Sequence, residues 1–166
     1  PELSRGLGDV YKRQYLMGLN SDKDTKIISI TLSKNEISEV LKKKEDNEVS
    51  FRNIVNESIY SKFLFSGEDV EKKIKVIFQN SLEFNHQEYI GKMDLIFIDG
   101  GHTYSVVKND SEKAFSMLSK NGIILWHDYV PGKQSAKDVV KYIHEISKNK
   151  EILNIKGTTL AYFKNE

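Results

Sequence analysis

Two short runs in this chain combine residue types that can do chemistry. The first is Asp99-Gly100-Gly101-His102-Thr103-Tyr104 and the second is His127-Asp128-Tyr129. Each follows an apolar stretch, Ile96-Phe97-Ile98 before the first and Ile123-Ile124-Leu125-Trp126 before the second. If both stretches are buried strands lying side by side, two carboxylates and two imidazoles meet at one end of a sheet. Carboxylate oxygens suit a hard divalent cation, and an imidazole beside them serves as a supplementary ligand or as a general base near neutral pH. Glycines at 100 and 101 let the backbone come close to a ligand. A plainer reading stands beside this one, in which Asp99 and Asp128 cap the helices that follow and both histidines are satisfied loop residues. The recurrence of Asp with His at two successive strand ends favours the functional reading.

The elements that must position these residues follow from periodicity. Lys26–Leu32 alternates and is rich in β-branched residues, which suits a strand. Ser33 and Glu36 then form a capping-box pair ahead of a helix through Ile37, Val40 and Leu41. Residues 46–67 read as an irregular insertion or partly helical flap. Ile74–Phe78 predicts a strand with Asn80-Ser81 as its polar exit, and a short link carries Phe84, Tyr89 and Ile90. Met93–Ile98 is apolar enough for a strand buried on both faces. Val106, Val107, Asp110, Ala114, Phe115, Met117 and Leu118 fit an amphipathic helix closing at Asn121-Gly122. Ile123–Trp126 is the next strand, and Ser135–Lys148 gives a second amphipathic helix through Val139, Val140, Ile143 and Ile146. Ile152–Ile155 and Thr159–Phe163 form a terminal hairpin around Lys156-Gly157-Thr158. Strands separated by helices predict an α/β fold with a mostly parallel sheet, and such sheets bind ligands at the carboxyl ends of their strands. Trp126 is expected to pack in the core, Tyr60, Phe63 and Phe65 to form a local cluster, and His86 and His144 to have no function.

Composition narrows the class. A chain of 166 residues fits one domain with a real core. Its 25 Lys and Arg against 24 Asp and Glu leave a net charge of +1. The lysines are spread along the chain and paired with acids, as in Lys42-Lys43-Lys44-Glu45-Asp46, which predicts a solvated surface and no nucleic-acid partner. The absence of cysteine excludes disulfides and thiolate metal sites. No apolar run reaches the ~20 residues needed to cross a bilayer, so a soluble cytoplasmic protein is the expectation.

The first fourteen residues stand apart. Asp9-Val10-Tyr11-Lys12-Arg13-Gln14 back-translates, with ordinary codons, to GAT GTG TAT AAG AGA CAG, which resembles the end of a transposase-type sequencing adapter. Residues 1–14 are therefore expected to be non-native, with the authentic sequence starting near Tyr15 as a partial domain over 15–166. Gly6-Leu7-Gly8 in this stretch is a decoy for a dinucleotide-binding loop, since no apolar strand precedes it. Residues 15–20 fit the tail of a helix.

The passage Met93 to Tyr129 resembles the class I S-adenosylmethionine-dependent methyltransferases, in the branch known as methyltransferase domain 24. Asp-Gly-Gly-His-Thr-Tyr at 99–104, Val107-Lys108-Asn109-Asp110, Leu118 to Ile124, and Trp126-His127-Asp128-Tyr129 carry the resemblance, and the ending 155–162 matches that branch's final hairpin. It spans about residues 26–163. It implies a Rossmann-like, doubly wound, mostly parallel sheet with a C-terminal antiparallel hairpin, and S-adenosylmethionine as donor across the strand ends. It further implies an oxygen acceptor on a small molecule or sugar, and in some members a divalent cation such as Mg2+. By position, Asp99 would line the active site next to the donor's methionine part, with Gly100 and Tyr104 as further donor-binding residues, while Asn80 and Ser81 would lie near the adenine and Thr31 near the ribose. His102 and His127 would be candidate bases, and Asp99 with Asp128 candidate cation ligands. Thr31 and Asn80 stand where the resemblance implies acids, and each replacement would weaken a hydrogen bond to the donor by about 1 kcal/mol. The family's first strand and glycine-rich loop would precede Tyr15 and are not among these residues, so the chain by itself is expected to be inactive.

Two other classes compete. A metal-dependent hydrolase or sugar-nucleotide transferase would also use paired Asp and His, but the chain has neither a Gly-x-Ser-x-Gly elbow nor a Gly-x-x-x-x-Gly-Lys loop. A non-catalytic Rossmann-like module would fit the missing acids at Thr31 and Asn80.

Overall fold

The computed structural model describes residues 9–33, 36 and 63–166. The chain forms two compact units, residues 1–80 and 81–166. Among the described residues no helix is long and apolar enough to cross a membrane.

In the first unit, helix α1 (Asp9–Leu19) precedes strand β1 (Ile27–Thr31), which pairs in parallel with β2 (Ile74–Phe78) from Ile27 opposite Ile74 to Thr31 opposite Phe78. Both strands have the predicted bounds to within a residue or two. Phe65 and Val70 are buried, with Tyr15, Phe63, Ile74 and Val76 packed on them. Phe63 and Phe65 stack at 5.0 Å, as expected for the aromatic cluster, whose Tyr60 lies outside the described residues. Lys73 Nζ donates to the carbonyls of Gly18 at 2.8 Å and Ser21 at 3.0 Å, satisfying acceptors that the end of a helix leaves open. The boundary expected after Gln14 falls inside α1, where Gln14 is buried and its amide donates to the Ser29 hydroxyl. The capping box is present: Glu36 N–H donates to Ser33 Oγ at 3.3 Å and Ser33 N–H to Glu36 Oε2 at 2.8 Å. The rest of that expected helix and most of the insertion, residues 37–62, lie outside the described residues.

The second unit is a four-stranded sheet in the order β3-β4-β6-β5, formed by β3 (Met93–Ile98), β4 (Leu118–Trp126), β5 (Leu153–Asn154) and β6 (Ala161–Lys164). β3 and β4 are parallel, while β6 runs antiparallel to β4 and to β5, which is the expected terminal hairpin. Helices α2 (Tyr104–Met117) and α3 (Lys137–Ile146) supply apolar stripes. Val107 and Ala114 from α2 and Val139, Tyr142 and Ile143 from α3 form a common core with Ile124, Trp126 and Ala161 of the sheet. Trp126 is 1% exposed, and its indole N–H donates at 2.9 Å to Ser111 Oγ, whose hydroxyl donates at 2.6 Å to the Val107 carbonyl. The expectation that Trp126 packs in the core holds.

Two expectations are corrected here. Asn121-Gly122 does not cap α2, because the helix ends at Met117 and Leu118 already has extended angles, opposite Met93. Asn121 instead adopts φ +65° within β4, at an irregularity in the β3–β4 pairing. A Cβ on Gly122 would lie 2.8 Å from Leu118 Cδ1 and 2.9 Å from the Met93 carbonyl oxygen, so close strand approach, not helix termination, requires glycine there. The second correction concerns β3, which is not buried on both faces. Among the described residues it forms an edge of its sheet, and it leaves Leu95 46% exposed.

Candidate functional site at the ends of strands β3 and β4

The parallel register builds the site. Ile98 lies opposite Trp126, and the His127 N–H donates to the Ile98 carbonyl at 3.0 Å. Asp99, leaving β3, is thereby set beside His127 and Asp128, leaving β4. Successive side chains of an extended strand point to opposite faces, yet His127 and Asp128 converge. Asp128 resolves this by adopting φ +56°, a left-handed conformation that is uncommon outside glycine and least unfavourable for Asp and Asn.

Three of the four expected chemical residues then surround one point. His102 Nε2 lies 3.0 Å from Asp128 Oδ2, and a ligand atom from each of Asp99, His102 and Asp128 falls within 4.8 Å of the others. His127 Nδ1 sits 2.8 Å from Asp99 Oδ1 and 3.2 Å from Asp128 Oδ2. That nitrogen is shut off from solvent. The carboxylates are 18% and 21% exposed, so their attraction to the imidazoles is only partly screened. Asp128, followed by Asp99, pushes the His127 pKa up to about 9 against the opposing effect of burial. His102 and then His127 hold the Asp128 carboxyl far below the usual carboxylate range. A depression with room for about one water molecule lies between the two turns, lined by Asp99, Gly100, His102 and His127 above Val107 and Trp126.

Of the remaining expected site residues, Gly100 lines this depression and the others are elsewhere. Tyr104 begins α2, its hydroxyl donating to Glu145 Oε2 at 2.6 Å and its N–H to Asp138 Oδ2 at 3.1 Å. Its side chain thus ties α2 to α3, apart from the cluster. Gly100 has a steric role, since a Cβ there would lie 3.2 Å from Asp110 Oδ2. The Ser81 carbonyl accepts from Asn109 and Lys113 of α2. In the first unit, Thr31 closes β1 and its carbonyl accepts from the Gln79 N–H at 2.8 Å, while the Asn80 N–H donates to Glu36 Oε1 at 2.9 Å.

Two carboxylates here escaped sequence reasoning. Glu36 was legible as a capping residue, but its reach across 44 positions to Asn80 was not. It brings a carboxylate to the ends of β1 and β2, where Thr31 and Asn80 lack one, and the Ser33 and Asn80 contacts lower its pKa, those of Ser33 foremost. Asp110 was read only as a helix position, although an acid inside an apolar stripe was a usable signal. His144, given no function, has its Nε2 3.0 Å from the Tyr129 hydroxyl.

Parallel strand pairs with an antiparallel end define the fold class as Rossmann-like α/β. The family model described as a methyltransferase domain, of the domain 24 branch, matches residues 13–129. The chain belongs to that family, within the class I S-adenosylmethionine-dependent methyltransferases. Solved structures share the fold at low identity. A Corynebacterium glutamicum protein aligns at 10% identity with a TM-score of 0.50, covering 95% of this chain and 81% of its own. A suggested rRNA-methylase from Clostridium thermocellum gives 12% identity and a TM-score of 0.50, with 95% and 96% covered. The O-methyltransferase NovP gives 14% and 0.52, with 93% and 66% covered. No curated protein matches.

Proposed function

We propose that this protein moves the methyl group of S-adenosylmethionine to an oxygen of a small molecule or sugar, using the cluster at the ends of β3 and β4. The observation that carries the reading is the convergence of Asp99, His102 and Asp128 within 4.8 Å. Two carboxylates suit a divalent cation such as Mg2+, with Asp99 and Asp128 as its holders. Such an ion would supply positive charge that makes an acceptor hydroxyl more acidic.

The chain's own residues do the remaining work. Displacement at a sulfonium methyl needs in-line placement of the acceptor more than covalent help, so orientation contributes most of the rate. His102 is the better base. Asp128 beside its Nε2 favours the tautomer with the proton on that nitrogen, which leaves the Nδ1 lone pair to accept the hydroxyl proton. Without an ion, an imidazole held near 9 is protonated at neutral pH, so His127 is then the cation that keeps the Asp99 and Asp128 carboxylates together. For the donor, Asp99 and Gly100 serve at this cluster, with Ser81 as a further donor-binding residue of the same unit.

Release of S-adenosylhomocysteine, measured with protein expressed from the native gene over a panel of hydroxylated small molecules and sugars, tests this. His102→Ala should lower turnover by roughly 10²–10⁴-fold, and chelator should lower it further. Full activity with both histidines changed to Ala and chelator present would refute the roles. Donor binding without turnover on any acceptor would favour the non-catalytic module.

A further inference from the structure

One buried carboxylate lies outside the cluster. Asp110 of α2 is largely shielded from water, and burial pushes its carboxyl pKa up, opposed by hydrogen bonds from Ser81 and Asn109 and by the Lys113 charge. Asn109 Nδ2 donates to Asp110 Oδ1 at 2.9 Å and to the Ser81 carbonyl at 3.3 Å. Lys113 Nζ donates to the carbonyls of Ser81 at 2.5 Å and Leu82 at 2.9 Å. The other Asp110 oxygen faces Gly100, where a Cβ would come within 3.2 Å of it. Asn109, Asp110 and Lys113 thus grip the Ser81–Leu82 segment, and Asp110 also abuts the Asp99–Gly100 turn.

Stability alone does not call for a charged group at this place. Withdrawing a carboxylate from water is unfavourable, and an apolar residue of similar size would pack without that penalty. What an acid adds is direction, because it takes hydrogen bonds from one loop while its second oxygen rests on another. We infer that Asp110 is a positioning residue for the methyl donor, joining the Ser81 segment to the Asp99–Gly100 turn so that both meet the donor in a fixed relation. The inference rests on the donor-site reading of Ser81, Asp99 and Gly100 given above.

Titration calorimetry of S-adenosylhomocysteine into protein expressed from the native gene separates the two. Asp110→Ala should weaken binding about tenfold, and Asp110→Asn should recover most of it, because its amide oxygen still accepts from Ser81 and Asn109. A merely structural Asp110 would lower the thermal midpoint and leave the dissociation constant of the folded protein unchanged, which overturns the inference. If Asp110→Ala does not fold, Lys113→Met removes the two bonds to Ser81 and Leu82 and should weaken binding in the same direction. Unchanged affinity in that variant likewise overturns the inference. A wild-type protein that does not bind S-adenosylhomocysteine overturns the donor-site reading itself, and Asp110's role with it.

Discussion

His127 should still be protonated well above neutral pH. Its imidazole lies within 3.2 Å of two carboxylates, and Asp128, then Asp99, carry its pKa from 6.5 to about 9. That displacement corresponds to roughly 3 kcal/mol of preference for the protonated form. The ring is 32% exposed, so water screens part of the attraction, and about 1–2 kcal/mol is the contribution to expect in folding. The sign follows from linkage. A group whose pKa is raised on folding stabilises fully below its unfolded value, here 6.5, and that stabilisation is lost as pH rises through about 9. Asp128 behaves oppositely: its pKa is lowered on folding, so its contribution is present above 3.8 and declines as pH falls below that value. NMR of the histidine rings between about pH 5 and pH 10 would locate the His127 midpoint, and urea unfolding over that range would measure the stability change. In Asp128→Asn the midpoint should fall by about one pH unit or more. A wild-type midpoint near 6.5, or one unmoved by removing Asp128, would refute this account of the cluster.

Two further predictions test how the site is supported. Ser111→Ala would strand the buried Trp126 indole N–H, now donating at 2.9 Å to Ser111 Oγ, and should destabilise the protein by about 1–3 kcal/mol in urea unfolding followed by tryptophan fluorescence. Gly122→Ala would place a Cβ 2.9 Å from the Met93 carbonyl oxygen. Because that neighbour is backbone, the β3–β4 pairing must shift, and thermal unfolding should show a loss of about 1–3 kcal/mol.

Much of the fold was legible in the residues. Ile74–Phe78 and Met93–Ile98 are strands with the expected bounds, because β-branched and apolar runs bounded by polar exits have few other ways to bury themselves. The apolar stripe of α3 and the Ser33–Glu36 capping box were equally local signals. The end of α2 was misplaced for a local reason too: Asn-Gly is a left-handed turn signal, and it marks an irregular strand as readily as a helix terminus. Burial of β3 was overstated because apolar character shows what a strand can bury, not which neighbours it has.

Sequence alone determined the ingredients of the site: two Asp and two His at the ends of two apolar strands. Only tertiary structure decided which of them meet. The parallel register sets Ile98 opposite Trp126, and the left-handed turn at Asp128 brings consecutive side chains to one place. It also turned Tyr104 toward Glu145 and drew Asp110 between Ser81 and Gly100. Residue type and strand propensity act over a few neighbouring positions. Distances between groups tens of residues apart depend on pairing and packing, and those distances set charge, proton affinity and catalytic role.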